Sequence, residues 1–217
     1  VSASGLGRTG PEAQAVAYGT LLQSYAGFAG LNRHPGNLPR IGFAWADPMC
    51  ALMLAFVVAA SVWRRDRAGE TARVDFSMIE AMLWTMAKPL LAAQIDGPPL
   101  PVGNGSDRFA PHGVYRAMGE DAWLALAVTD DTAWRRLCGI VPSLAPLSGM
   151  GLSARRENAA AIDAALTAWC GERAAADAAS VLTAAGIAAP AVANALDLVR
   201  SPHLAERAVW DREGDGV

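Results

Sequence analysis

Residues 41–63 read IGFAWADPMCALMLAFVVAASVW, and the order of residue types in this stretch decides how the rest of the chain is read. Its one charged side chain, Asp47, stands directly before Pro48 and a long apolar run. That order is a helix start: Asp is a favoured N-cap, and proline suits the first turn, where its missing N–H costs nothing. The spacing therefore predicts Asp47 as the N-cap of a buried core helix. The macrodipole and the unpaired first-turn N–H groups favour the charged carboxylate there. A carboxylate with restricted hydration can be a nucleophile, although the plainer role of such an aspartate is capping alone. As a helix, the run 48–63 would rise only about 24 Å, short of the roughly 30 Å hydrocarbon layer. It reads as a core helix and not as a membrane span.

Composition bounds the rest. The chain has 217 residues, 53% of them hydrophobic, with much of that content in alanine. Close helix packing follows more readily than a membrane protein. A net charge of −3 and the absence of a basic run longer than Arg64-Arg65 argue against a nucleic-acid or anionic membrane surface. The three cysteines form no CxxC, and with the three histidines they show no zinc-ligand spacing, so no metal is expected. A reduced, cytoplasmic chain is the simplest expectation. With neither an initiator methionine nor a closing element, the sequence reads as a fragment of a longer protein.

Outward from the core helix, Gly5, Gly7 and Gly10 in GLGRTG match G-x-G-x-x-G. A dinucleotide fold would also need a second strand ending in an acid about 20 residues on. The sequence there is GFAGLNRHPGN, so a nicotinamide enzyme is the outside option, and the bare reading is a tight turn. Residues 12–31 show helical spacing but carry Gly19, Gly27 and Gly30, which weaken a helix unless something approaches closely. His34-Pro35-Gly36-Asn37 is a turn and 38–44 an extended lead into Asp47. After the core helix, Arg64 to Gly69 form a basic last turn and a glycine stop. Residues 73–76 are strand-like, Ser77 caps a helix running to Ile95 with Glu80 completing a capping box, and Pro89 kinks it. Residues 97–111 are Gly- and Pro-rich and read as a linker; 113–118 and 123–128 alternate as a hairpin. Helices follow at 131–138, 155–170 and 174–185, the last closed by Gly186.

Taken together, these motifs resemble family III CoA-transferases, the CaiB/BaiF family, over nearly the whole chain and in the family's order. The segment at Ala46-Asp47 resembles its "(I/L)AD", residues 4–11 its "SG(F/W)GxxGP", and the Arg64–Ser77 region its "RxRTGxGQxVDVSLLDA". The second half carries likenesses of "AP(H/Y)", "DG.W(I/L)A(I/L)AV", "W.RLC", "AGI.A.PV" and "DP(H/Q)L..R".

The resemblance implies an α/β protein: a helix-rich part of a large domain over 1–95, a linker at 96–112, a small α+β domain over 113–195, and the start of a return to the large domain at 196–217. It further implies that the family's N-terminal nucleotide-fold segment and C-terminal end lie outside this sequence. Asp47 is implied as the nucleophile that accepts an acyl group and then CoA. Gly5, Gly7 and Gly10, with Ala46 beside the nucleophile, are implied near the CoA. Tyr18, Asn104 and His112 are candidate pocket residues, with a core aromatic and a hydrogen-bonded linker histidine as the plainer readings of Tyr18 and His112. The racemase branch carries a His at the position of Tyr18, so two-base epimerisation lacks one base here. No permanently bound cofactor is implied: CoA thioesters and carboxylic acids are substrates, and the full-length protein is implied to be an interlocked homodimer. The alternatives are a racemase of the same superfamily and a non-catalytic half of a two-part transferase.

Overall fold

The computed structural model describes residues 1–40 and 42–210, and the chain divides into two compact units, Val1–Gly103 and a second beginning at Asn104. Of the expected return at 196–217, residues 211–217 lie outside the described residues.

The first unit opens with a short strand, β1 (Ser2–Ser4), followed by the glycine loop. The helix expected over 12–31 is shorter and broken: α1 spans Gly19–Tyr25 and α2 Phe28–Leu31, separated by Gly27 at φ 82°. A left-handed glycine between two helical segments is a stop, not a mid-helix residue. The turn expected at His34 forms, with Asn37 N–H donating to the His34 carbonyl at 3.1 Å. Next comes α3 (Ala46–Ala68), which ends on Gly69 at φ 67° after Arg65 and Arg67 in its last turn, the stop expected from the sequence.

The strand β2 (Asp75–Ser77) pairs in parallel with β1, Ser2 opposite Asp75 and Ser4 opposite Ser77. Ser77 then caps α4 (Met78–Thr85), its hydroxyl accepting from Glu80 N–H at 3.5 Å. The chain breaks at Met86 before α5 (Ala87–Ile95). Pro89 lies in the first turn of α5, the position at which its missing N–H leaves no gap.

A small core of Leu22, Ala26, Ala46, Cys50, Phe76, Ile79 and Met82 joins α1, α3 and α4. It covers little of α3. Of that helix only Ala46 and Cys50 are buried, while Leu52, Phe56, Val62 and Trp63 are exposed, which corrects the expectation of a buried core helix. Within the unit only one side of α3, mainly its N-terminal half, meets other elements. At 23 residues it is also long and apolar enough to cross a membrane, by length and composition alone.

The second unit includes Asn104 to Pro111, so the latter part of the expected linker belongs to it. The expected hairpin forms as β3 (His112–Arg116) and β4 (Trp123–Ala127), antiparallel with His112 opposite Ala127. Residues 188–192 extend it: Ala127 N–H donates to Ala188, Ala125 N–H to Pro190, and Val192 N–H to Trp123. The helical part comprises α6 (Asp131–Ile140), a 3₁₀ segment Pro142–Leu147, α7 (Leu152–Glu157), α8 (Ala159–Gly171) and α9 (Ala175–Ala184), with α8 packed on β3 and α9 on β4. Gly186 follows at φ 74°. Their shared core contains Tyr115, Leu124, Trp134, Leu137, Leu166 and Leu182.

One cation lies inside this unit. Arg155, 2% exposed, donates to the Ala110 and Met150 carbonyls and to Asp131 Oδ1, and its guanidinium lies over the Trp134 ring. A buried cation needs such partners for every donor it can place. Two short helices, α10 (Ala195–Val199) and α11 (Pro202–Glu206), follow, each capped by the residue before it, Asn194 and Ser201.

Candidate functional site

The first turn of α3 carries the candidate nucleophile. Ala46 is fully buried, and its N–H reaches Gln23 Oε1 on α1 at 3.5 Å. The helix ladder starts with Met49 N–H donating to the Trp45 carbonyl at 3.2 Å. The N-cap is therefore Trp45, at φ −70° and ψ −18°, and not Asp47 as the sequence predicts. Backbone at Trp45 is already near-helical, and Pro48 has no N–H to place, so it tolerates a position two residues deeper than expected, still within the first turn. Asp47 remains in the first turn, where the helix dipole favours an acid.

Asp47 is an exposed residue, yet its carboxylate rests on α1. A Cβ added at Gly19 would collide with Oδ1, Oδ2 and Cγ of Asp47. The close approach that the glycine content of 12–31 called for is therefore a side chain on a bare Cα. One turn along α3, Cys50 is buried with Sγ 3.5 Å from the Met78 carbonyl. Burial, and then the neighbouring Asp47 charge, push its thiol pKa up. Cys50 thus stays a neutral thiol at ordinary pH, beside the candidate carboxylate of Asp47. Before it, the Trp45 ring packs on Phe28 at a centroid distance of 4.8 Å.

The glycine loop lies against the same elements. The Gly5 carbonyl accepts from Ile79 N–H at 3.0 Å, and a Cβ on Gly5 would collide with Ala17, two residues before Gly19. Gly7, at φ 88°, packs by Ser77, and Gly10, at φ 92°, faces open space. Both adopt a conformation that other residues rarely take. Gly5 and Asp47 thus lie against Ala17 and Gly19, on either side of the α1 N-cap Tyr18.

Tyr18 is the N-cap of α1 and 66% exposed, which sets aside a core role for its ring. Asn104 and His112 belong to the second unit and meet there: His112 Nδ1 is 2.7 Å from the Asn104 carbonyl oxygen, and the His112 ring stacks on Phe109. That is the hydrogen-bonded linker arrangement given above as the plainer reading. Among the described residues, no group of three His, Cys, Asp or Glu side chains is placed to hold a metal. Sequence reasoning missed Gln23. The available signal was an amide four residues after Gly19, hence on the same helical face, in an otherwise apolar segment.

Two cavities flank the unit's strands. One of about 540 Å³ between α3 and α4 is apolar, lined by Leu52, Phe56, Phe76 and Trp84. Another of about 640 Å³ at the strand edge holds Arg8 and Arg73 with Asp75. There Arg8 is tied down, its backbone N–H donating to Asp75 and its guanidinium to Ser2 Oγ.

Comparison with known proteins bears on the family of the chain. The sequence profile of CoA-transferase family III matches residues 1–216. A succinate–glutarate CoA-transferase of Agrobacterium fabrum is 30% identical over 142 residues, covering 64% of this chain and 35% of that protein. A succinyl-CoA–D-citramalate CoA-transferase of Chloroflexus aurantiacus is 25% identical over 212 residues, covering 95% of this chain and 52% of that protein. The crystal structure of a CaiB/BaiF family protein from Brucella suis superimposes with a TM-score of 0.85 at 24% identity, over 95% of this chain and 56% of that one. The chain spans about half, or less, of the length of the relatives it matches. By the match over 1–216, the chain belongs to CoA-transferase family III.

Proposed function

We propose that the protein of which these residues are part transfers CoA from an acyl-CoA donor to a carboxylic acid, with Asp47 as the nucleophile. The observation that carries this is the Asp47 carboxylate, held in the first turn of α3 against the bare Cα of Gly19, in a chain of this family. An Asp47 oxygen attacks the donor thioester carbonyl, forming a mixed anhydride and expelling CoA thiolate. The thiolate attacks the Asp47 carbonyl carbon, releasing the donor acid and leaving an aspartyl-CoA thioester. The acceptor carboxylate then attacks that thioester, CoA thiolate leaves again, and its attack on the acceptor carbonyl forms the new acyl-CoA and restores Asp47. Both covalent intermediates hydrolyse readily, so the site must exclude water.

Because the chain spans only part of its relatives, turnover is assigned to the full-length protein, and residues 1–217 alone are expected to be nearly inert. A nucleophile without a positioned thioester forgoes roughly 7–11 kcal/mol of proximity. A homodimer and a cytoplasmic location are carried as further parts of this proposal, testable by sedimentation and fractionation.

The test is mass spectrometry of the full-length protein after incubation with acyl-CoA esters. The relatives named for succinate, glutarate and citramalate make those acids and their thioesters the first panel. An adduct of CoA mass on Asp47, absent in Asp47→Ala, is expected. Exchange of the substrate's α-proton without any adduct would instead make Asp47 a base.

A further inference from the structure

We infer that α1 is the element that positions Asp47, through two residues four apart on one helical face: Gly19, whose missing side chain makes the seat for the carboxylate, and Gln23, whose amide holds the backbone just before it. This rests on the reading of Asp47 as the nucleophile.

Gly19 is a helical residue of α1, and it is not among the glycines with positive φ. Its backbone conformation is open to any residue, and alanine would suit a helix better. What excludes a side chain is the Asp47 carboxylate, which occupies the space where a Cβ would stand. Gln23 is 2% exposed in a core of Leu22, Ala26 and Met82. A buried amide in such surroundings needs partners. One of them is the Ala46 N–H, a first-turn donor that α3 itself cannot satisfy. Asp47 follows Ala46 directly, so Gln23 sets the start of α3 and Gly19 sets where the next side chain lies.

Neither residue touches the reacting bond, so both are positioning residues. A misplacement of about 1 Å in a reacting group costs on the order of 100-fold in rate. Gly19→Ala in the full-length protein should therefore lower kcat, and the single-turnover rate of Asp47 adduct formation, about 100-fold, with KM for the donor within about threefold. Its melting temperature should be unchanged or raised. Gln23→Leu should slow adduct formation about tenfold, and Gln23→Glu, which keeps an acceptor oxygen, should recover most of that loss. Ser24→Ala, on the exposed side of α1, should leave the rate unchanged.

Wild-type adduct rates in both Gly19→Ala and Gln23→Leu would overturn the inference while leaving Asp47 as the nucleophile. If Gly19→Ala does not fold, the glutamine pair decides: equal rates in Gln23→Leu and Gln23→Glu overturn it, and recovery in Gln23→Glu supports it. Absence of any adduct in the wild-type protein would remove the reading of Asp47 and this inference with it.

Discussion

In the second unit Trp134, Leu137, Leu166 and Leu182 are closed into one core, whereas in the first unit the 23-residue α3 buries only Ala46 and Cys50. Both units contain long apolar stretches, so composition does not separate them. Closure does. The second unit wraps five helical segments around a hairpin extended by residues 188–192, and its residues find partners within it. In the first, Leu52, Phe56, Trp63 and Trp84 remain open to solvent. The candidate nucleophile thus sits on the less self-contained part, at the one end of α3 that its own unit does pack.

The sharpest test of that contrast is a pair of truncations. Trp134→Ala should destabilise the second unit by about 3–5 kcal/mol, since the ring is fully buried and its Nε1–H donates to the Leu147 carbonyl. Phe56→Ala should change stability by no more than about 0.5 kcal/mol, as an exposed side chain does. Denaturant unfolding reads both, and a Phe56→Ala cost as large as that of Trp134→Ala would break the comparison.

A smaller effect is expected at Arg155. Arg155→Met keeps the bulk but strips a donor from the Ala110 and Met150 carbonyls, at about 1–3 kcal/mol for a buried group left unpaired. Retained stability in that variant would show the second unit to be less closed than its core implies. In the first unit, Ser77→Ala removes the hydroxyl that accepts from Glu80 N–H at the start of α4, for about 1 kcal/mol.

A last effect is invisible at neutral pH. Burial pushes the Cys170 thiol up to about 11, with Arg173 opposing it. Above the ordinary thiol pKa the unfolded chain releases this proton while the folded chain keeps it. Stability therefore falls as pH rises from that value to about 11, and is fully present below it. A Cys170→Ala variant should show a shallower alkaline decline in chemical denaturation; an identical slope would remove Cys170 from the account.

Much of the second unit was legible because its signals are local. The hairpin at 112–127 is written in alternation across a four-residue turn, and Gly186 marks a helix end whatever lies elsewhere. In the first unit the local stops at Gly69 and Ser77 were equally readable. What the sequence did not carry was the long-range part. The start of α3 at Ala46 depends on Gln23 from α1, and Gly27 ends a helix that spacing alone would have continued. The exposure of α3 could not be read from its composition, because an apolar run states what a helix prefers and not what meets it. At the site, Asp47 stood out as a candidate through its surroundings in sequence, whereas the positions of Gly19 and Gln23 gain meaning only once α1 lies against α3.

The parallel pairing of Ser2 with Asp75 carries a consequence for the order in which the chain folds. Closing so long a loop costs chain entropy before any contact repays it, and contacts distant in sequence slow folding. The hairpin of the second unit joins residues across a short turn and forms on the microsecond scale typical of such elements. The second unit is thus expected to acquire structure first although it follows the first in sequence. The seat of Asp47, which needs α1 against α3 from distant parts of the same unit, is expected to form later in folding than the hairpin.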